Sequence, residues 1–160
     1  MDRLRWVCMG LRHKALVLYA GIWLVGGIPL WRLLVHDLSK LFPPELGAYS
    51  AQKIRGCCSA ERWNEAVHHH FQNNGHHWQH WIDGQSWETV KSGRISVMPK
   101  VFVREMVADY LASAREGTGK WDFSEWLEKN YHRMRLHPES DGLFRLILRQ
   151  IGVKVAERQG

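Results

Sequence analysis

Cysteine is scarce in this chain of 160 residues, and the three that occur, Cys8, Cys57 and Cys58, exclude two architectures. An odd count with an adjacent pair makes no disulfide framework, and no spacing suits a cysteine-based zinc site. The thiols fit a reducing, cytoplasmic setting. A glycine-rich phosphate loop is missing, as is the glycine fingerprint of a dinucleotide fold, so neither device recognises phosphate here. Repeats and low-complexity tracts are also missing. Long apolar runs are few. Ala15 to Trp31, preceded by Arg3, Arg5, Arg12 and Lys14, resembles a signal peptide or a short membrane span, yet Gly21, Gly26, Gly27 and Pro29 interrupt it. The expectation is a buried helix–turn–helix start and no stable membrane association.

What is abundant is tryptophan, with nine residues, and histidine, with ten. Apolar residues make up 45 % of the chain, enough for the core of one domain over residues 1–160. The net charge of +6 favours anionic partners: a nucleotide or another phosphorylated small molecule, with nucleic acid compatible as well. Apolar spacing and stop signals predict an all-α bundle. The helices run from Leu4 to Val25, Pro29 to Lys40, Pro43 to about Arg55, Ala60 to Phe71, Pro99 to Arg115, about Asp122 to Met134, and Asp141 to Val155. A short helical piece is expected at His76 to Trp81. Ile82 to Val97 has no sustained period and reads as a long, mobile surface loop near the site, with room for a brief strand pair.

Chemistry concentrates in three places. In His36-Asp37-Leu38-Ser39-Lys40, an imidazole and a carboxylate can converge on one ion, and Lys40 lies one helical turn from His36. Its ammonium cannot bind a cation, so its expected partner is an anionic substrate oxygen. Between residues 68 and 80 stand six histidines: His68, His69, His70, His76, His77 and His80. Six imidazoles in so short a stretch exceed what packing requires, and neutral imidazole is a common transition-metal ligand. His76 and His80 have the spacing of a helical zinc pair, but no glutamate follows the first, which excludes the metalloprotease motif. Glu105 and Asp109 share one helix face beside apolar neighbours, where carboxylates need a pairing cation.

The order His13, His36-Asp37, His69/His70, His76/His77, Asp109 resembles the HD-domain superfamily of metal-dependent phosphohydrolases. Leu34 to Lys40 is similar to that superfamily's apolar-His-Asp-x-Gly-Lys segment, with Ser39 in place of glycine. Arg12-His13-Lys14, Pro44-Glu45, Met98-Pro99, Arg104 to Tyr110, Gly119-Lys120-Trp121 and Leu136 to Glu139 further resemble a family of small phage and bacterial HD-like proteins. The Gly-Tyr-Pro hallmark of the cyclic-dinucleotide enzymes is absent, since Gly75-His76-His77 stands there, which counts against that substrate.

The resemblance implies an HD-like helical bundle in a bacterial or phage-infected cytoplasm. It implies one or two divalent ions (Mn, Fe, Ni or Zn) held by His13, His36, Asp37, His69 or His70, His76 or His77, and Asp109. The expected reaction is hydrolysis of a phosphoester, with Lys40 holding phosphate and Glu105 positioning or deprotonating the water. Two rivals share the pattern: a di-iron oxygenase on the same scaffold, and a basic binding or regulatory module with a structural metal.

Overall fold

Stop signals decide where each helix ends, and two of them shape the site. The computed structural model describes residues 2–84 and 92–155. Helix α1 (Asp2–Tyr19) widens into a π turn at Ala20–Val25. Gly26 and Gly27 then reverse the chain with φ of 68° and 69°, a left-handed geometry that costs glycine little. The carbonyls left over at this helix end are met by Arg104, whose Nη1 donates to Val25 O and Gly26 O at 3.0 and 3.1 Å.

Helix α2 (Leu30–Val35) follows Pro29 and stops five residues short of the predicted Lys40. His36 is extended, Asp37 takes a left-handed conformation at φ 56°, and Leu38–Leu41 forms a separate 3-10 turn. Aspartate is among the few residues that tolerate this region. Helix α3 (Glu45–Ser50) continues as a π turn, Ala51–Arg55, to Gly56. Ser59 caps helix α4 (Ala60–Asn73) as predicted, its Oγ accepting the Arg62 N–H at 3.4 Å. A 3-10 turn at Trp78–Trp81 follows.

Helix α5 (Lys100–Thr118) is the longest, bounded by Pro99 and Gly119. Helix α6 (Ser124–Asn130) passes into a 3-10 turn at Tyr131–Arg133. Helix α7 (Pro138–Gln150) begins three residues before the predicted Asp141, because Pro138 suits a first turn and the His137 ring accepts the Glu139 N–H at 3.3 Å. The brief strand pairing expected after the histidine cluster is a single antiparallel bridge, Ile82 with Ile95. Residues 85–91 of that predicted loop, and with them its expected mobility, lie outside the described residues.

The protein is thus a single-domain, all-α bundle. Its main core packs α5 (Val103, Met106, Val107, Leu111) against α7 (Phe144, Ile147, Leu148), with Leu127, Tyr131, Val17 and Leu33 closing it. A smaller core joins Trp6, Ala48, Tyr49, Ala66 and Val67. The apolar run from Ala15 to Trp31 departs from expectation. Val17 and Ala20 are buried, but Trp23, Leu30 and Trp31 are 73 %, 56 % and 61 % exposed. The run is therefore a half-covered surface element rather than a core helix. No helix among the described residues is long and apolar enough to cross a membrane.

Candidate metal centre

Two local features aim the ligands. The break after Val35 turns His36 and Asp37, adjacent in sequence, toward one point, which a continuous helix would keep apart at about 100° per residue. The turn after α4 does the same for His76 and His77. Its Asn74 Nδ2 donates to His70 O at 2.8 Å and Ser39 Oγ at 2.7 Å, tying the turn to both α4 and the His-Asp segment. A Cβ on Gly75 would run into the Phe102 ring, so the close approach needs glycine. From α5, Glu105, Asp109, Ser113 and Glu116 recur every three or four residues, one stripe of the helix.

At the centre stands the Asp37 carboxylate. Its Oδ1 lies 3.4 Å from His70 Nε2 and 3.3 Å from His76 Nε2. Its Oδ2 lies 3.6 Å from His36 Nε2. Asp109 Oδ1 is 3.8 Å from His36 Nε2 and 2.9 Å from His13 Nε2, and its Oδ2 is 3.9 Å from His76 Nε2. His77 Nε2 reaches His70 Nε2 at 2.7 Å. Ligands bound at about 2.0–2.2 Å to a shared ion lie within roughly 4.4 Å of each other, and all these separations satisfy that limit. Besides an overlapping set of His36, His76 and Glu105, two separate groupings result: His13, His36 and Asp109 on one side, and Asp37, His70, His76 and His77 on the other. Asp37 Oδ2 faces the first group, so its carboxylate sits between them.

A direct sign that these atoms await a cation is their lack of partners. Among the described residues, buried side-chain atoms without a hydrogen bond include His36 Nε2, Asp37 Oδ1 and His76 Nε2, all turned to this point. A buried polar atom left unpaired costs about 1–3 kcal/mol. Three at one point fit a divalent ion, and imidazole with carboxylate is a donor set that Mn, Fe, Ni and Zn accept.

Behind the ligands stand carboxylates. Glu105, 1 % exposed, accepts from His36 Nδ1 at 3.0 Å and lies 3.4 Å from His76 Nδ1, while Arg32 donates to its other oxygen at 2.7 Å. Glu45 accepts from His70 Nδ1 at 2.8 Å and His69 Nδ1 at 2.7 Å. Glu116 accepts from His13 Nδ1 at 2.9 Å. Since an ionised carboxylate only accepts, Nδ1 of His13, His36 and His70 carries a proton, and Nε2 is the nitrogen each turns inward.

Electrostatics divide the two groups. Burial disfavours a charge on His36, but Asp37, Asp109 and Glu105 outweigh it and raise the pKa to about 9. His13 is raised for the same reason, through Asp109. Burial, then the neighbouring His76 and His70, push His77 well below the usual imidazole range, and burial lowers His70. Burial opposes ionisation of Asp37 and Asp109 as well. Lys40 and His36 nevertheless hold Asp37 far down, and His13 and His36 do so for Asp109. Glu105 falls to about 2 against its burial, through its bonds with His36 and His76.

The structure thus brings together His13, His36, Asp37, His70, His76, His77 and Asp109, and leaves His69 outside. The His69 side chain is 37 % exposed and turns its Nδ1 to Glu45. Glu105 stands behind the imidazoles rather than in the adjoining cavity. Lys40 Nζ donates to Asp37 Oδ2 at 2.5 Å and lines that cavity. Sequence reasoning missed Glu45, Glu116 and Arg32. The helical spacing after Asp109 could have signalled Glu116. Glu45 had no local signal, because its imidazoles are 24 and 25 residues away.

Fold and site together define an all-helical protein with histidine–carboxylate clusters able to hold a divalent metal ion. The chain belongs to the family of unknown function DUF5662, which it matches over residues 7–150. No curated protein and no solved structure matches it.

Proposed function

We propose that this protein is an HD-type, metal-dependent phosphohydrolase acting on a nucleotide or another phosphoester. The observation that carries the reading is the Asp37 carboxylate, set between two ligand groups with Oδ1, His36 Nε2 and His76 Nε2 unpaired. Support for the HD class comes from the chain order of these residues and from the tripartite origin of the site in α1, the His-Asp break and α5. A divalent ion held there supplies a Lewis acid that polarises a phosphoryl oxygen and lowers the pKa of a water. In the one-ion form, His13, His36, Asp37 and Asp109 hold it. In a two-ion form, His70, His76 and His77 would hold the second ion together with Asp37. The domain is taken to span residues 1–160, since helix α1 enters both cores, Val17 in the main one and Trp6 in the smaller.

The chain's own contribution is positioning. A cavity of about 350 Å³ adjoins the centre, lined by His13, His36, Asp37 and Asp109 together with Lys14, Lys40 and Lys53. Three ammonium groups beside a metal centre suit an anionic substrate. Lys40 uses one of its three donors on Asp37, which leaves two for a phosphate oxygen. Asp37 and Asp109 keep it charged against its burial. Glu105 acts through His36 and His76, fixing their tautomer, and is a positioning residue rather than a base for water. The open cavity also favours catalysis over a structural ion, whose site is closed. A cytoplasmic setting in a bacterial or phage-infected cell accords with three free thiols.

The test is elemental analysis of the purified protein, then a nucleotide and phosphoester panel with the bound metal restored. Phosphate release without oxygen, lost in Asp37→Ala, is expected. Protein that takes up none of Mn, Fe, Ni or Zn overturns the reading. The histidine–carboxylate set also suits two irons. Iron content with an oxygen-dependent optical change, and no phosphate release, would establish the oxygenase instead.

A further inference from the structure

Large apolar side chains left exposed are concentrated in one part of the molecule. Among the described residues, thirteen of sixteen lie between Leu4 and Phe42. Helix α2 is the clearest case. Leu33, Arg32 and His36 turn inward, to the core, Glu105 and the metal centre. Its outward face presents Leu30, Trp31, Leu34 and Val35, each at least 45 % exposed. Leu38 and Phe42 extend this face past the break, at 42 % and 57 %. Lys14 Nζ donates to Leu34 O at 2.5 Å, which ties α2 to α1. Such a concentration marks a contact surface, since soluble monomers rarely leave apolar patches beyond a few hundred Å².

Charge decides what covers it. Within residues 2–42 the acidic residues are Asp2, which pairs with Arg55, and Asp37, which is in the metal centre. Arg3, Arg5 and Arg12 of α1 are exposed. A second copy would present the same arginines and no free carboxylate from this segment to meet them. An anionic lipid surface instead meets the arginines with opposite charge and takes up the apolar face, with Trp23 and Trp31 suited to the headgroup boundary. We propose that the outer face of α1 and α2 docks reversibly on an anionic membrane surface, without crossing it. Met9, Leu11 and Leu41, part of the same exposed set, also line the mouth of the metal-centre cavity. Docking therefore turns that mouth toward the lipid. The proposal stands apart from the phosphohydrolase reading, because it uses no ligand residue.

The experiment is flotation of the full chain, metal-loaded and metal-free, with vesicles of phosphatidylcholine alone or mixed with phosphatidylglycerol. Both forms should float with the anionic vesicles at low salt, stay behind with neutral ones, and be released by high salt. In W31E/L34E and, separately, in R5E/R12E, the bound fraction should fall by roughly an order of magnitude, because apolar insertion and charge attraction each contribute. Unchanged melting and metal content would establish that these variants fold. Absence of wild-type binding to anionic vesicles overturns the proposal. So does equal binding by the folded variants, or a vesicle-free dimer that L34E dissociates, which assigns the face to a second copy.

Discussion

The two halves of the metal centre use the same residue types and hold protons differently. Around His36, the carboxylates of Asp37, Asp109 and Glu105 converge, so this half favours imidazolium before a cation arrives. Around His77, burial comes first and the neighbouring His76 and His70 add to it, and burial also lowers His70, so these two imidazoles stay neutral. An ion entering the first half must displace protons, whereas the second presents lone pairs at once. Ligand identity alone thus says little about affinity. The groups behind the ligands set it: Glu116 on one side, Glu45 on the other, and Glu105 behind both.

The comparison breaks most completely at the residue shared by both halves. Asp37→Ala should empty them together, leaving metal content below about a tenth of wild type by elemental analysis. His70→Ala should spare the first half, so in a two-ion protein the stoichiometry drops to one. Equal metal content in Asp37→Ala and wild type would show that Asp37 is no ligand.

Next in size is the effect of the supporting carboxylates. Glu105→Gln keeps the shape but weakens the acceptor for His36 and His76 and leaves Arg32 without its anion. Metal affinity, read by competition with a chelator, should fall roughly 10–100-fold. Glu45→Gln should act on the second half alone.

Lys40 sharpens the contrast between holding metal and holding substrate. Lys40→Ala should retain its metal and lose about 1.5–3 kcal/mol of transition-state stabilisation, seen as slower turnover of whichever phosphoester the wild type hydrolyses. Full activity with a slightly lower melting temperature would reduce Lys40 to a partner of Asp37.

The smallest effect is on stability against pH. His36 has a folded pKa raised above its ordinary 6.5, so its contribution to metal-free stability is complete below that value and fades as pH rises through about 9. Asp37 and Asp109 work in the opposite direction, contributing above the ordinary carboxylate range and losing that contribution as pH falls through their depressed values. The metal-free protein should therefore lose a few degrees of melting temperature between pH 6.5 and 9. The metal-loaded protein should not, because an imidazole ligated through Nε2 is already neutral and has no second proton to lose there.

Much of this was legible in the chain before folding. Helical periodicity and proline and glycine stops placed the main helices, and the chain order of His, His-Asp and a distal Asp marked His36, Asp37 and Asp109 as worth following. The break at Asp37 was not legible, because Leu34, Leu38 and Leu41 carry the helical period across it while a single left-handed residue ends the helix. Nor could the sequence choose between His69 and His70. That choice rests on Glu45, which takes Nδ1 of both and leaves only the buried ring aimed inward. The apolar run from Ala15 to Trp31 misled for a related reason: hydrophobicity shows what can be covered, not what the rest of the chain is large enough to cover.

Asp37 also bears on how this site trades endurance against use. A left-handed backbone at a non-glycine residue costs roughly 1–3 kcal/mol and persists only when its surroundings hold it. Glycine would adopt the same φ without that cost and would leave no carboxylate among the histidines. Asp37→Gly should then melt above Asp37→Ala, measured by calorimetry on the two metal-free proteins. Selection for durability alone would favour glycine here, so the aspartate marks a position where the chain keeps a carboxylate at the expense of an easier backbone.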